Sequence, residues 1–513
     1  MRQAAFWTPR PATRQAAAGC GRHGLLVAMA LGVALALACA DEREAPAPPP
    51  VPDAEIAGLY EALTDGDTAA EEQAIARIEA AQDRRFVPVL LELMRAGQMG
   101  IAGRAGYNQR MIALERLTGE ALGGDWFSWA EWYEGSDLAP PPGFASWKGR
   151  LWTRIDPGFG ELLEDEHPAR IRVEEVDWGG IRLEGVPALD DPAHVAADAA
   201  PWLGGAEPVV GVAIGGEARA YPLRILDWHE LVNDRLGGVP FALAYCTLSG
   251  SAIAYDARRE GAAAYRFSTS GLLHRSNKLM LDRDTRTLWN QLTGRAVLGP
   301  LAAEERALAL LPAVVTSWQA WRERHPDTSV LSLDTGHERP YLPGTPYGSY
   351  FASPQKMFPA RERRKELPTK ERVYGLWHDG VAKAWPLAEL LAARVTNDAL
   401  GGEAVVLVAG EGRVEVGARS EEADFSRYEA GGAVRAYRRG AVELARGPDD
   451  RTLRDAAGGV WRLEEDALVG PGGERLPRLP GTLAYWFAWQ AFHPDTALLP
   501  VERRPAAKEP LVF

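Results

Sequence analysis

Two stretches of the chain repeat one pattern and decide the fold: Gly211–Gly238, GVAIGGEARAYPLRILDWHELVNDRLGG, and Gly375–Gly402, GLWHDGVAKAWPLAELLAARVTNDALGG. They align without a gap, and both contain Ala-x-Ala-x-Pro-Leu and end in Asn-Asp-x-Leu-Gly-Gly. A second shared motif, Trp-x-x-Trp-x-x-x-His-Pro-Asp-Thr, begins at Trp318 and again at Trp486. A repeat this long indicates duplicated domains rather than a solenoid. The sequence therefore predicts two related units in one chain.

The pattern within each copy predicts a sheet-rich α+β unit. In the first copy, Pro208–Ile214 and Glu217–Tyr221 flank a Gly-Gly turn, which is typical of a β-hairpin. Pro222 is predicted to open a helix that runs to about Asp234, where a second Gly-Gly pair ends it. Val239–Tyr245 follows as a candidate buried strand.

The rest of the chain divides by composition and periodicity. Residues 53–137 show apolar side chains three and four apart, which predicts an N-terminal helical domain similar to HEAT-type repeats. The first duplicated unit is predicted at residues 144–338 and the second, degenerate unit at residues 371–500. A proline-rich linker with a basic run, residues 339–370, joins them. The predicted fold class is thus α+β, a helical domain followed by two sheet-rich units.

The N-terminus predicts export. Four arginines precede the uncharged run Gly24–Ala38, which is shorter than the ~20 apolar residues of a membrane-spanning helix. Residues 1–38 are expected to be a signal peptide, and Leu-Ala-Leu-Ala-Cys at its end resembles the lipobox of bacterial lipoproteins, with Cys39 as the acylated residue. Residues 39–52 would form a proline-rich tether. We expect a cell-envelope protein that faces the periplasm on a lipid anchor; a plain secreted protein and an uncleaved anchor are the alternatives.

Charge and cysteine content narrow the function further. The chain has a net charge of −13, and removal of residues 1–38 takes away four arginines and no acid. An acidic body has no electrostatic footprint for nucleic acid, which we therefore exclude as a partner. Cys20 would leave with the signal and Cys39 would carry lipid, so Cys246 is the one thiol of the body. An intramolecular disulfide in that body is excluded.

The side chains that could carry chemistry occur only in the first copy. At the position of His229 the second copy has Ala393, and in the same register Gly410 stands opposite Cys246. What both copies retain is needed for the fold, whereas a residue that one copy lacks is not. We therefore expect the functional site in the first copy.

His229 lies on the predicted helix, inside an apolar stripe that begins at Ile225. A histidine on such a face is commonly a satisfied core residue, although Ala393 indicates that the helix packs without an imidazole. Glu230 is predicted to point away from the core, because its counterpart is Arg394. Adjacency in sequence therefore does not by itself make His229 and Glu230 an acid–base pair.

Cys246 ends the predicted buried strand and enters a turn rich in glycine and serine, Thr247–Ser251. Backbone N–H groups and hydroxyls near a thiol suit a thiolate or an oxyanion, so Cys246 is a candidate nucleophile with His229 as its base. The alternative is a buried cysteine that serves as a small apolar residue.

A metal site is the second possibility at this thiol. His274 and Met280 lie in a polar segment downstream and could join Cys246 and His229 as ligands. Thiolate, imidazole and thioether form a soft ligand set that favours copper or zinc over magnesium or calcium.

Several motifs resemble one bacterial family. They are GVPALDDP from Gly185, EARAYPLRILDWHELVND from Glu217, AYCTLSGSA from Ala244, STSGLLHRSNKLMLDRDTRTLWNQ from Ser268 and VLSLDTG from Val330. In this order, over roughly Trp147 to Leu390, they resemble the family catalogued as domain of unknown function 3179. The resemblance implies an exported, often lipid-anchored domain without an agreed activity. Family members often have Cys-Pro-Leu-Cys-Gly or Cys-Pro-Leu-Thr-Gly at the turn; Ser249 replaces the second cysteine, so chemistry that needs two thiols is not expected here.

Three hypotheses remain open from the sequence. The first is an envelope protein that binds copper or zinc through Cys246, and the second is a thiol-dependent enzyme. The third is a non-catalytic envelope scaffold in which the thiol is inert. Apart from the membrane that would hold the anchor, the sequence names no partner, substrate or ligand.

Overall fold

Each copy of the repeat folds into a hairpin, a short helix and a second hairpin. The computed structural model describes residues 48–103, 106–410, 412–417 and 427–500. The predicted signal peptide and Cys39 lie outside the described residues. No helix in the described part of the chain is long and apolar enough to cross a membrane.

The first quarter of the described chain is helical. Its helices are α1 (Asp53–Asp65), α2 (Thr68–Ala80), α3 (Val87–Met99), α4 (Tyr107–Thr118), α5 (Trp126–Glu134), α6 (Phe144–Trp152) and α7 (Gly158–Leu162). Helix α1 packs on α2 and α3 on α4, which agrees with the predicted N-terminal helical region. Pairing of the HEAT type stays a prediction. The apolar faces of these helices share one core with strands of the first unit, including Val176, Leu279 and Leu281.

The first sheet-rich unit contains fifteen strands and two helices. They are β1 (Val176–Trp178), β2 (Leu189–Asp190), β3 (His194–Ala196), β4 (Pro208–Ile214), β5 (Glu217–Pro222), α8 (Leu223–His229), β6 (Leu231–Leu236), β7 (Val239–Cys246), β8 (Ser251–Asp256), β9 (Phe267–His274), β10 (Asn277–Asp282), β11 (Leu288–Asn290), β12 (Ala296–Leu298), β13 (Leu310–Leu311), β14 (Ala313–Ser317), α9 (Trp318–Arg324) and β15 (Ser329–Leu331). They form three five-stranded sheets, in the orders β1-β9-β10-β11-β12, β13-β8-β7-β6-β2 and β14-β4-β5-β15-β3.

The linker carries one short helix, and the second unit follows it. The elements are α10 (Gly348–Ala352), β16 (Arg372–His378), β17 (Val381–Pro386), α11 (Leu387–Ala393), β18 (Val395–Leu400), β19 (Glu403–Ala409), β20 (Val414–Gly417), β21 (Arg427–Gly431), β22 (Val434–Arg438), β23 (Leu444–Arg446), β24 (Thr452–Asp455), β25 (Val460–Leu463), β26 (Ala467–Val469), β27 (Arg475–Leu479), β28 (Thr482–Tyr485), α12 (Trp486–Phe492) and β29 (Ala497–Leu498). Strands β18-β19-β22-β27-β26-β25-β24-β23 form one sheet, and β20 pairs with β21.

One sheet has the same strand order in both units. The order β14-β4-β5-β15 in the first unit corresponds to β28-β16-β17-β29 in the second. The outer parallel pairs also have the same register: Ser329 lies opposite Arg219, and Ala497 lies opposite Lys383. The shared sequence motifs therefore fall on the same elements in both units.

The shared glycines and tryptophans explain why this sheet packs alike in both units. A Cβ on Gly211 would lie 2.3 Å from Cε3 of Trp321, so only glycine lets the indole rest on the strand. The same indole donates a hydrogen bond to Oγ1 of Thr328 at 2.9 Å. Gly375 and Trp489 make an equally close approach, with 2.2 Å between the added Cβ and the ring. These residues are conserved between the copies because the packing needs them.

The helix of the first copy is shorter than the sequence predicted. It ends at His229 rather than near Asp234, and the following residues form β6. The reason is local, because Glu230 adopts a left-handed backbone conformation with φ of 60° that stops the helix. Gly237-Gly238, with φ of 54° and 78°, forms the two-residue turn between β6 and β7 rather than a helix end.

Candidate functional site

The thiol turn, which we define as residues Cys246–Ser251, connects β7 to β8. Cys246 lies directly opposite Ser251 in the antiparallel ladder, so their side chains share one face of the sheet. Cys246 is a free cysteine with no exposed surface. The second unit covers the turn, since the Tyr485 N–H donates to the Ser249 carbonyl at 2.8 Å. The predicted strand end and turn are thus present, and the thiol is enclosed.

A network of buried polar side chains forms hydrogen bonds to the thiol turn. The Oγ atoms of Ser249 and Ser251 are 2.8 Å apart, and Ser251 donates to Oε1 of Gln291 at 3.0 Å. Asn277 Nδ2 lies 3.1 Å from Oγ of Ser249 and 2.9 Å from Oε1 of Gln291. The Gln291 amide in turn donates to the Ala244 carbonyl at 2.9 Å. Because each buried polar group has a partner, the network fixes the turn instead of destabilising it.

A buried ion pair lies beside the thiol turn. The Lys278 ammonium contacts the Glu230 carboxylate, and the two side chains are only 7% and 10% exposed. The Thr247 hydroxyl donates to the same carboxylate at 3.5 Å. The prediction that Glu230 points into solvent is wrong. Its left-handed backbone ends the helix and directs the side chain inward, where Lys278 neutralises its charge.

A small cavity opens beside this ion pair. Its volume is about 60 Å³, and its polar lining comes from Glu230, Lys278, Thr247, Thr269, Ser270 and Tyr347. Burial, with a further contribution from the Glu230 carboxylate, raises the pKa of Tyr347 well above its usual range. The phenol therefore stays a neutral O–H donor. The cavity combines an acid–base pair with hydroxyl donors, and Thr247 and Leu248 of the thiol turn line it, whereas the Cys246 side chain lies behind its wall.

A second carboxyl lies buried on the same helix. Asp227 is 2% exposed, and burial together with the nearby Glu230 charge raises its pKa well above the usual range. The Asp227 carboxyl is therefore harder to ionise than an exposed aspartate. Clusters of carboxyls with strongly displaced pKa values are typical of functional sites, although structural clusters show them too.

The ring nitrogens of His229 form hydrogen bonds to groups other than the thiol. Its Nδ1 donates to the Pro187 carbonyl at 2.8 Å, so Nε2 is the unprotonated nitrogen and accepts from the Tyr341 hydroxyl at 2.6 Å. Tyr341 also lies 2.5 Å from Oγ1 of Thr335. Burial lowers the pKa of His229 to about 4, so the imidazole is neutral. Both nitrogens are used in this chain of hydrogen bonds, and neither contacts Cys246.

The other two predicted ligands lie in different surroundings. Nε2 of His274 is 3.2 Å from the Glu175 carboxylate, and burial lowers the pKa of this histidine. Met280 is fully buried in an apolar cluster with Phe267 and Trp289. Among the residues that the structure describes, no group of three or more His, Cys, Asp or Glu side chains could hold a metal ion.

Sequence reasoning identified the thiol but missed its polar neighbours. Lys278, Asn277 and Gln291 come from strands β10 and β11 and their margins, far from Cys246 in sequence. The sequence contained one indication. Lys278 directly precedes the apolar run Leu279–Leu281, and a lysine is unusual in a fully buried strand. Tyr347 gave no signal, because it lies in the linker.

With this geometry described, the chain can be compared with known proteins. The family model described as "Protein of unknown function (DUF3179)" matches residues 183–496. The chain belongs to the DUF3179 family. The match contains both copies of the repeat and extends past the end, near Leu390, that the sequence motifs indicated. No curated protein and no solved structure matches the chain significantly.

Proposed function

We propose that this DUF3179 protein is a thiol-dependent enzyme that acts on a small organic substrate at the thiol turn. In this proposal Cys246 is the nucleophile, and the Glu230–Lys278 pair takes the acid–base role that the sequence assigned to His229. One observation carries the proposal: a buried carboxylate–ammonium pair lines a cavity directly beside the turn that holds the thiol. A buried ion pair contributes little net stability, so a role in chemistry accounts for its presence better.

The divergence of the two copies supports the same assignment. Four chemistry-bearing positions of the first copy are replaced together in the second: Asp227 by Leu391, His229 by Ala393, Glu230 by Arg394 and Cys246 by Gly410. The residues that pack the sheet are retained. This pattern favours a working site in the first unit over a scaffold made of two equivalent units.

The proposed reaction is acyl transfer to the thiol followed by hydrolysis. The Cys246 proton passes to Glu230 as sulfur bonds to the acyl carbon, and the leaving group departs with a proton from Lys278. The hydroxyls of Thr247 and Tyr347 are the donors available to the developing oxyanion. Neutral Lys278 then takes a proton from water as the water oxygen bonds to the acyl carbon, and Glu230 returns its proton to the departing sulfur. The acid is released, and the thiol, the carboxylate and the ammonium are restored. The net change is hydrolysis of one acyl bond.

Electrophile labelling tests this proposal. Full-length protein is treated with iodoacetamide under native conditions, and mass spectrometry reads the alkylated fraction of the Cys246 peptide alone. We expect alkylation of Cys246 that slows in Glu230→Gln, because the base that ionises the thiol is lost. Glu92→Gln is the matched control, since Glu92 forms an equally buried pair with Lys148 in the helical core. Resistance of native Cys246 to alkylation, or labelling in Glu230→Gln that is as fast as in Glu92→Gln, would exclude the enzyme.

Copper or zinc binding stays a prediction that the same preparation tests. Elemental analysis of wild type and Cys246→Ala would detect near-stoichiometric metal that the variant lacks. A metal-free protein with an unreactive thiol would instead support the scaffold. Metal lost on substitution of Cys246 would make His229 the next residue to change.

We also infer the cellular setting and the origin of the fold. The arginine-rich, apolar N-terminus supports export and acylation at Cys39, which an intact mass of the mature N-terminus tests. The common strand order and register support an origin of the two units by duplication. The paired packing of α1 with α2 and α3 with α4 supports a HEAT-like helical domain.

A further inference from the structure

The cavity beside the Glu230–Lys278 pair is too small for an organic substrate. Its volume of about 60 Å³ lies well below the ~300–1,000 Å³ of typical ligand pockets. One part of its wall must therefore move if a substrate is to enter. The parts of the wall differ in how firmly they are held, and this difference identifies the movable one.

Most of the wall belongs to the first unit and is held by backbone hydrogen bonds. Strands β9 and β10, which contribute Ser270 and Lys278, pair with each other in an antiparallel ladder. The ladder of β7 and β8 closes the thiol turn. On the remaining side, the Gly179 N–H donates to the Gly271 carbonyl at 2.8 Å. These parts of the wall cannot move without breaking a sheet.

The last part of the wall is a strap of the linker, which we define as residues 353–360. It contributes Met357 and Phe358 to the cavity. Residues 354–359 belong to no helix or strand, and within the described part of the chain their backbone groups form no hydrogen bond to another backbone group. Met357 is 44% exposed, so the strap separates the cavity from solvent. The strap can therefore move while every sheet stays intact.

Side chains hold the strap closed. At its start, Nζ of Lys370 donates to the Ser353 carbonyl at 2.8 Å. At its end, the Ala360 N–H donates to the Glu131 carboxylate of α5 at 3.3 Å. The Lys356 ammonium lies 2.5 Å from the same carboxylate. The strap is thus attached to the linker on one side and to the helical domain on the other.

Phe358 separates this cavity from a second one. The second cavity also has a volume of about 60 Å³, and Trp126 and Tyr133 of α5 line it. Phe358 and Leu273 line both cavities. Displacement of Phe358 would join the two spaces and add the volume of its own ring. The result is one larger space that reaches from the ion pair to the helical domain.

We propose that the strap is a lid over the candidate site and that Phe358 is the side chain that closes it, which limits the size of molecule that reaches the Glu230–Lys278 pair. The closed cavity has room for only a few water molecules. The open lid joins the two cavities and admits a small organic substrate. The inference rests on the proposed function for its purpose, substrate entry, but access to the cavity can be measured without a reactive thiol.

Acetylation of Lys278 measures this access. Lys278 lines the cavity and Lys148 lines neither cavity, although both are buried and paired with a glutamate. Full-length protein is treated with acetic anhydride, and mass spectrometry reads the acetylated fraction of each lysine over time. In Phe358→Ala, acetylation of Lys278 should be about tenfold faster or more than in wild type, because loss of a packed aromatic ring shifts a local opening equilibrium by at least about that factor. Acetylation of Lys148 should be unchanged, because the protein as a whole stays folded.

Leu342→Ala is the matched control. Leu342 is an exposed apolar residue of the same linker and lines neither cavity, so both acetylation rates should equal those of wild type. If Phe358→Ala does not fold, judged by circular dichroism, Lys356→Gln replaces it. This change removes the contacts of the strap to two glutamates and should also accelerate Lys278 alone.

The outcomes separate the lid from the enzyme. Acceleration confined to Lys278 supports the lid whatever the reactivity of Cys246, so an inert thiol would refute the enzyme alone. Equal rates in the lid variant and wild type would overturn the lid, and so would equal acceleration of Lys278 and Lys148 or the same acceleration in Leu342→Ala. The alkylation of Cys246 would then still decide the proposed function.

Discussion

The buried imidazole of His229 predicts a specific dependence of stability on pH. Burial lowers its pKa from the usual 6.5 to about 4, and the side chain has no exposed surface. A difference of this size between the folded and unfolded states corresponds to about 3 kcal/mol at about 1.4 kcal/mol per pKa unit. Protonation in the folded state is unfavourable because Nε2 would need an acceptor, whereas the Tyr341 hydroxyl now directs its proton toward it. The Thr335 hydroxyl in turn contacts the Tyr341 oxygen.

The sign follows from which state binds the proton first. Above pH 6.5 both states hold a neutral imidazole, and the full stability is present. As the pH falls from 6.5 to about 4, the unfolded chain is protonated and the folded protein is not, so stability is lost across that window. His229→Gln has no such proton. The free-energy difference of unfolding between wild type and variant should therefore change by about 3 kcal/mol, against wild type, over this range.

Urea unfolding of both proteins at several pH values within the window measures this difference. The comparison cancels the buried carboxylates and the other histidines, which titrate in both proteins. Tyr341→Phe is the control, because it keeps the imidazole buried and should therefore keep the pH dependence. A wild-type-to-variant difference that stays constant from pH 6.5 to 4 would refute the reasoning.

Two further predictions concern the ion pair and the repeated packing. Glu230→Gln leaves the Lys278 ammonium buried without its carboxylate and should lower the free energy of unfolding by about 3–5 kcal/mol, and the added change Lys278→Met should restore most of it in the same urea assay. Gly211→Ala and Gly375→Ala place a Cβ against an indole in each unit, and each should lower the free energy of unfolding by about 1–3 kcal/mol or more. The control Gly58→Ala adds its Cβ in open space on α1 and should raise the free energy of unfolding by up to about 1 kcal/mol. Equal stability of Gly211→Ala and wild type would contradict the packing argument, and no recovery in the double variant would contradict the ion-pair argument.

Local rules predicted the first half of each repeat and failed in the second. The hairpin of β4 and β5 was readable, because a Gly-Gly turn separates two apolar runs. The next Gly-Gly pair was read as a helix end, although two residues with positive φ between strands are equally typical of a hairpin turn. Where the helix ends depends on Glu230. Its left-handed backbone conformation is accompanied by the β6–β7 ladder and by the ion pair with Lys278. Those contacts are tertiary and cannot be read from the segment itself.

The candidate site was only partly predictable for the same reason. Cys246 could be identified because it is the one cysteine among the described residues and ends an apolar run. Its polar neighbours Asn277, Lys278 and Gln291 come from another sheet, and Tyr347 comes from the linker. The spacing of residues along the sequence does not predict which residues of two different sheets come into contact.

The two units therefore separate what the fold requires from what the chemistry requires. Both keep the glycine–tryptophan contact, the strand order and the parallel register, which set where the turn after the fourth strand of each copy lies. At that common place the first unit has a buried thiol and a carboxylate–ammonium pair near a cavity of about 60 Å³. The second unit has Gly410 and Arg394 there, at the edge of a cavity of about 640 Å³. A scaffold that needed only two interacting surfaces would not require this difference in charge and volume. A chemical site in the first unit, as we propose, accounts for the difference, and the labelling experiment tests that site.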